Sequence, residues 1–276
     1  MIEIGKWTLV VGERINPTGR KKLAEELREG RLDTVIADAR AQAEAGADII
    51  DVNVGVPGVD QSRILPLAAR TVYEETGLPV CVDSSEVEAL KAALAVLPGE
   101  DVMVNSVTGD REMLEELLPA VAESGAFLVG ITKDMRGIPR TAEERMAVGE
   151  LIIGEAEKHG INRGRILLDF LTIPIATEVE AAGITLSCIE RANREWGVAT
   201  ILGASNISFG MPERRVINAA FLAMAIARGL TAALVNPLEE GVVQAILAAD
   251  MLVGRDPMGR RYLKDFRKRK AGELSV

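Results

Sequence analysis

Cysteine is almost absent from this chain. Cys81 and Cys188 are too few for a disulfide framework or a cysteine-rich metal site, and each stands in an apolar run that reads as buried hydrophobe. Histidine is scarcer still. His159 stands alone between Lys158 and Gly160 at an expected helix C-terminus, which removes histidine triads and multi-histidine zinc sites. Aromatic residues make up only 3% of the sequence, so Ala, Leu, Val and Ile must fill the core of a chain that is 48% hydrophobic. No apolar run reaches membrane-spanning length and no basic-then-apolar leader opens the chain, so a soluble, cytoplasmic protein without a membrane partner is expected. Positive charge is also short. A net charge of −9 and a pI near 5.0 argue against nonspecific nucleic-acid binding. The one basic cluster, Arg267-Lys268-Arg269-Lys270, reads as a solvated tail.

What the chain does have is repetition. Eight short apolar runs, at 8–12, 48–54, 79–83, 101–107, 127–132, 165–171, 199–205 and 232–236, are each followed by a helical pattern or a gap of helix length. Continuous Val/Ile/Leu character marks strands buried on both faces, as in a parallel sheet. The spacing leaves room for one crossover helix each time. Helices are predicted at 33–45, stopping at Gly46; from Thr141 to about His159-Gly160; at 178–196, with Gly183 a weak point; at 213–228; and at 239–253. Ser85-Glu86-Val87-Glu88 and Thr141-Ala142-Glu143-Glu144 both match the S/T-x-x-E capping box. The 276 residues suit one α/β domain, a (β/α)₈ barrel over 1–276; a doubly wound open sheet is the alternative.

In such a barrel the active site lies at the C-terminal ends of the strands. Those ends carry Glu13, Arg14 and Asn16; Asp51 and Asn53; Asp83 and Ser84; Asn105 and Ser106; Thr132 and Lys133; Asp169; Asn206 and Ser208; and Asn236. A buried, unsatisfied polar group costs roughly 1–3 kcal/mol, so carboxylates and amides at equivalent positions point to a shared ligand. Asp and Asn together supply acceptors and donors at fixed angles, which suits a flat heterocycle such as a 2-amino-pyrimidinone. Asp51, mid-run, reads equally well as structural. A hard cation on Asp51, Asp83 and Asp169 is conceivable, but the interleaved asparagines fit hydrogen bonding better, and no metal is expected. No phosphate loop or dinucleotide fingerprint follows a strand. A serine nucleophile would lack a histidine base, and Lys133, beside Asp134 and Arg136, reads as a charged loop residue.

Gly12-Glu13-Arg14-Ile15-Asn16, Asp51-Val52-Asn53-Val54-Gly55, Cys81-Val82-Asp83-Ser84, Val104-Asn105-Ser106, Leu168-Asp169, Gly203-Ala204-Ser205-Asn206-Ile207-Ser208 and Arg214-Arg215-Val216-Ile217-Asn218 together resemble the pterin-binding (β/α)₈ methyltransferases. That family includes methyltetrahydrofolate:corrinoid protein methyltransferases and the folate domain of cobalamin-dependent methionine synthase. The resemblance spans nearly the whole chain, in order, without a corrinoid-binding or zinc domain. It implies transfer of a methyl group, in either direction, between N5 of tetrahydrofolate and the cobalt of cobalamin on a partner corrinoid protein. It further implies that Asp83, Asn105 and Asp169 hold the pterin and that Asn206 hydrogen-bonds near N5. Asp51, Asn53, Ser208 and Arg214 are expected as supporting pterin or corrinoid contacts, with Glu13, Arg14 and Asn16 closing the mouth. A homodimer is implied as well. Phe209 stands where relatives often carry Gln, which leaves the subfamily and the role of the 209–215 loop open. Dihydropteroate synthase shares the barrel and pocket, but its expected Ser-Arg-Lys near strand seven is missing here. A non-catalytic pterin-binding or corrinoid-docking protein is the alternative from another class.

Overall fold

The structure, a computed structural model, describes residues 2–272; Met1 and 273–276, the ends of the expected 1–276 domain, lie outside the described residues. Strands β1 (Leu9–Ile15), β2 (Ile49–Asn53), β3 (Val80–Asp83), β4 (Val102–Val107), β5 (Phe127–Ile131), β6 (Ile166–Asp169), β7 (Ala199–Gly203) and β8 (Ala232–Val235) pair in parallel in chain order, and β8 returns to β1. Around this closed barrel run α1 (Lys21–Arg28), α2 (Asp33–Glu44), α3 (Gln61–Thr76), α4 (Val87–Leu94), α5 (Arg111–Ser124), α6 (Ala142–Lys158), α7 (Ala181–Arg191), α8 (Arg214–Ala227), α9 (Val242–Leu252) and α10 (Arg260–Lys270). The expected (β/α)₈ barrel is the fold that forms. Among the described residues no helix is long and apolar enough to cross a membrane.

Strand alternation explains how one barrel holds both a core and a pocket. Side chains two apart share a face, so one set lines the barrel interior while the other meets the helices. The interior set is apolar toward the N-terminal end: Leu9, Val11, Ile49, Cys81, Met103, Phe127, Val129, Leu167, Ile201 and Ala232 pack together. Continuing the same alternation upward reaches Glu13, Asp51, Asn53, Asp83, Asn105 and Asp169. The register sets Asn53, Asp83 and Asn105 side by side on three neighbouring strands. The outward set, including Val10, Ile50, Val52, Val82, Val104, Leu128, Leu168 and Leu202, joins the helix faces in the larger core.

The opposite end of the barrel is closed by charge. The buried Asp250 carboxylate of α9 accepts from the Thr8 backbone N–H at 2.9 Å and from its hydroxyl at 2.7 Å. Arg261 of α10 lies 3.3 Å from Asp250 and stacks 4.5 Å from the Trp7 ring centroid. Asp48 accepts from Val10 N–H at 2.8 Å at the start of β2.

Several expected boundaries move. β1 runs on to Ile15, so Glu13 and Arg14 belong to the strand rather than to the loop after it. β6 stops at Asp169 and β7 at Gly203, where a 3₁₀ turn, Ala204–Ser208, takes over. The helix expected over 178–196 begins at Ala181, passes Gly183 unbroken, and ends in a π turn, Ala192–Trp196, closed by Gly197 at φ 62°. α8 starts at Arg214, with Glu213 left-handed before it, and α9 starts at Val242. Thr141 forms the expected capping box with Glu144. Ser85 does not: α4 starts at Val87 with Glu86 at its cap, and Ser84 instead accepts from Glu86 N–H at 2.9 Å. The basic cluster at 267–270 is largely solvated, as expected, but helical: it forms the last turn of α10, where cations oppose the negative helix end.

Candidate active site at the barrel mouth

A cavity of about 590 Å³ opens at the C-terminal ends of the strands. Asp51 and Asp83 lie in its wall with Glu13, Arg14 and Asn16, while Asn206 and Arg214 reach it from the β7–α8 connection. Of the residues expected at the site, eight line this cavity, these seven and Asn236. Asn53, Asn105, Asp169 and Ser208 stand behind or beside it and act on those that do.

The carboxylates are held in a chain. Asn53 donates to Asp83 Oδ2 at 2.8 Å, and its own carbonyl accepts from Gly55 N–H at 2.8 Å, so the amide cannot flip without losing both bonds. Asn105 donates to Asp51 Oδ1 at 3.3 Å. Burial raises both carboxyls above their usual range. For Asp51 the rise is large, with the nearby Asp83 charge adding to it and hydrogen bonds from Cys81 and Asn105 opposing it. For Asp83 the Asn53 bond opposes the rise. The Asp83 charge disfavours ionisation of Asp51, so the pair resists carrying two negative charges at once. Cys81 is buried in the apolar interior as expected; its thiol also touches Asp51, and burial and that charge push it well above its usual range, which keeps it protonated.

Asp169 is held by backbone. Its Oδ1 accepts from Leu171 N–H at 2.7 Å, and burial pushes its carboxyl up to about 6 against that bond, the charge of Arg145 and a bond from Gly203 N–H. Arg145 is fully buried and donates to the carbonyls of Phe170 at 2.5 Å, Leu171 at 3.0 Å and Pro139 at 3.1 Å. It braces the loop after β6, where Leu171 takes φ 61°. Helical periodicity gave no sign that Arg145 would point inward.

The β7–α8 connection is folded by Arg214. Its Nη2 donates to Ser205 O at 2.8 Å and its Nε to the buried Ser208 hydroxyl at 3.0 Å, which stabilises the 3₁₀ turn. Asn206 rides on that turn, exposed into the cavity, and its carboxamide makes no hydrogen bond among the described residues. Phe209, 66% exposed, lies 5.9 Å under the Arg214 guanidinium. Glu13 meets the Ser205 hydroxyl at 3.4 Å, and burial lifts its carboxyl to about 7. Asn16 and Asn236 turn their side-chain oxygens back to Thr18 N–H at 3.0 Å and Leu238 N–H at 3.1 Å, fixing their own loops.

Glu239, Arg20 and Thr18 also line the cavity and were not expected. Glu239 lies in the loop after β8, where reading one turn beyond Asn236 would have found it. Arg20 is oriented by Asp38 and the Arg14 carbonyl, a pairing between β1 and α2 with no local signature. Lys133 is exposed beside the Asp134–Arg136 ion pair of 2.6 Å, as expected. Among the described residues no group of three His, Cys, Asp or Glu side chains is arranged to hold a metal ion.

A parallel barrel whose mouth gathers carboxylates and amides from successive strand ends is built to bind a polar heterocycle. Residues 12–236 match the pterin binding enzyme family, and the chain belongs to that family. It is 33% identical over 274 residues to the methylcorrinoid:tetrahydrofolate methyltransferase of Eubacterium limosum, covering 97% of this chain and 99% of that one. It is 34% identical over 241 residues to methionine synthase of Mycobacterium leprae, covering 83% of this chain and 20% of that protein. Among solved structures, dihydropteroate synthase of Yersinia pestis superposes with a TM-score of 0.69 at 16% identity, covering 90% of this chain and 94% of that one; the likeness is one of fold.

Proposed function

We propose that this protein moves a methyl group between N5 of tetrahydrofolate and the cobalt of a corrinoid carried by a separate protein, in either direction. The observation that carries the reading is Asn206: an amide unengaged with protein, held over a cavity walled by carboxylates, in a chain similar end to end to an enzyme named for this reaction. Asp83, Asn105 and Asp169 then fix the pterin. Asp83 accepts from the exocyclic amine and ring N–H, Asn105 holds Asp51 in place, and Asp169 reads the opposite edge. Asp51 and Asn53 support Asp83. Ser208 and Arg214 shape the turn, while Glu13, Arg14 and Asn16 close the mouth.

The chemistry follows from N5. An amine nitrogen is a poor leaving group until it gains positive character, and the Asn206 carboxamide can stabilise that charge through a hydrogen bond. Mixing the protein with methyltetrahydrofolate and cob(I)alamin should produce the methylcobalamin spectrum, and the reverse mixture should consume it. Folate binding without conversion in either direction would leave only a pterin-binding module. Asn206→Ala is expected to lower the single-turnover rate by roughly 10²-fold while changing folate affinity little. Equal losses in both would assign Asn206 to binding alone. Synthase activity on a pterin pyrophosphate and p-aminobenzoate would place the chain with its fold neighbours instead. The homodimer expected from the family is supported by an exposed apolar stripe on α8, Val216, Ala220, Met224 and Ala227, and is tested by sedimentation.

A further inference from the structure

We propose that Glu13 holds the proton that N5 takes up when the methyl group leaves and surrenders when the methyl group returns. This rests on the methyl-transfer reading above and adds to it the group that balances the reaction. In the direction toward cobalt, the C–N5 bond breaks and its electron pair stays on nitrogen. The cobalt electron pair forms the C–Co bond, and a proton must pass from an acid to N5. In the opposite direction the N5–H proton must go to a base as the C–N5 bond forms. Asn206 can polarise N5 but an amide is neither that acid nor that base at neutral pH.

The aspartates of the mouth are committed elsewhere, and Glu239, the other glutamate lining the cavity, comes from the loop after β8 and makes no bond to the Asn206 turn among the described residues. Asp83 accepts from Asn53, Asp51 accepts from Asn105 and is touched by Cys81, and Asp169 accepts the backbone N–H of Leu171. Among the described residues Glu13 is bound only by the Ser205 hydroxyl, at a long 3.4 Å, and it lines the same cavity as Asn206. Ser205 and Asn206 are consecutive in the 3₁₀ turn and both line the cavity, so Glu13 is tied through the Ser205 hydroxyl to the turn that carries Asn206.

The charges around Glu13 suit a carboxyl that changes state near neutrality. Asp51 faces it from β2, Glu239 from the loop after β8, Arg214 from the start of α8, and Arg14 from its own strand. Burial raises its carboxyl most, to about 7; the Ser205 bond opposes that rise, Glu239 adds to it, and Arg214 and Arg14 oppose it. A group balanced there can give a proton in one direction and take it in the other.

The test is the pH profile of single-turnover methyl transfer, with methyltetrahydrofolate and free cob(I)alamin in one direction and tetrahydrofolate and methylcobalamin in the other. For the wild type, the rate toward cobalt should fall as pH rises through about 7, and the rate toward folate should rise. Glu13→Gln should abolish that ionisation and slow transfer by about 10²-fold at the favourable pH. Ser205→Ala removes the opposing hydrogen bond, so its midpoint should move up by about half a pH unit. Glu239→Gln removes a like charge, so its midpoint should move down. These two variants keep Glu13 in place and decide the matter even if Glu13→Gln fails to fold. Unmoved midpoints in both, or a Glu13→Gln profile matching the wild type, overturn the role of Glu13 while leaving methyl transfer intact. Absence of transfer by the wild type overturns both.

Discussion

Gly12 is glycine because a helix residue lies across it. A Cβ there would stand 2.5 Å from Gln42 Oε1, the same oxygen that accepts Arg14 N–H at 2.8 Å and holds the cavity end of β1 in place. Gln42 is fully buried in α2 and its oxygen is held by the Arg14 N–H, so it has little freedom to retreat. Gly12→Ala is therefore expected to cost about 2 kcal/mol in urea unfolding through overpacking, and to weaken folate binding by displacing Arg14. Unchanged stability would show that Gln42 swings away freely. The polar residues of the mouth were largely legible as residues. Asp83, Asn105 and Asp169 stand out because each falls at or near the end of an apolar run, where an Asp or Asn needs a partner. Gln42 and Arg145 were not, since a polar residue within a helical pattern carries no mark of whether it faces solvent or the barrel.

Elements were legible in number and order, less so at their ends. Each of the eight apolar runs is a strand, because side chains buried on both faces leave the same trace in sequence as in structure. The end of β7 was misplaced by two residues: Ser205 continues the strand pattern, but Arg214 captures its carbonyl and folds the chain into the 3₁₀ turn. That long-range bond lifts Asn206 off the strand and out over the cavity. The two capping-box motifs separate sequence from geometry most directly. Thr141 and Ser85 share the same spacing to a glutamate, yet only Thr141 sits at its helix's cap; the chain before α4 is instead held by Ser84, which accepts from Glu86 N–H and donates to Gln61 at 3.0 Å. Thr141→Ala is expected to cost about 1 kcal/mol and Ser85→Ala nearly nothing, with Ser84→Ala the more damaging of the two serine changes. Thermal melts of the three variants check the order, and a loss at Ser85 matching that at Thr141 would contradict it.

At the scale of the whole molecule, the mouth stores its function at the expense of stability. Burial raises the carboxyls of Glu13, to about 7, and Asp169, to about 6, and those of Asp51 and Asp83 also rise. Each binds its proton more tightly folded than unfolded, so its stabilising effect is complete below the ordinary carboxylate range and is lost as pH rises through the folded value. For Glu13 alone the limit is roughly 3 kcal/mol. The melting temperature of the ligand-free protein should therefore fall by several degrees between about pH 5 and about pH 8, and a rise over that range would contradict the assignment. The far end of the barrel bears on how the molecule comes into being. Thr8 and Asp250 are 242 residues apart, and their contact joins the first strand to the last helices. A chain emerging from the ribosome must hold β1 unpaired on one edge until β8 and α9 have left the exit tunnel. Until that seam shuts, Glu13 and Ser205 have no fixed distance between them, so the cavity takes its shape only once β8 and α9 have been made.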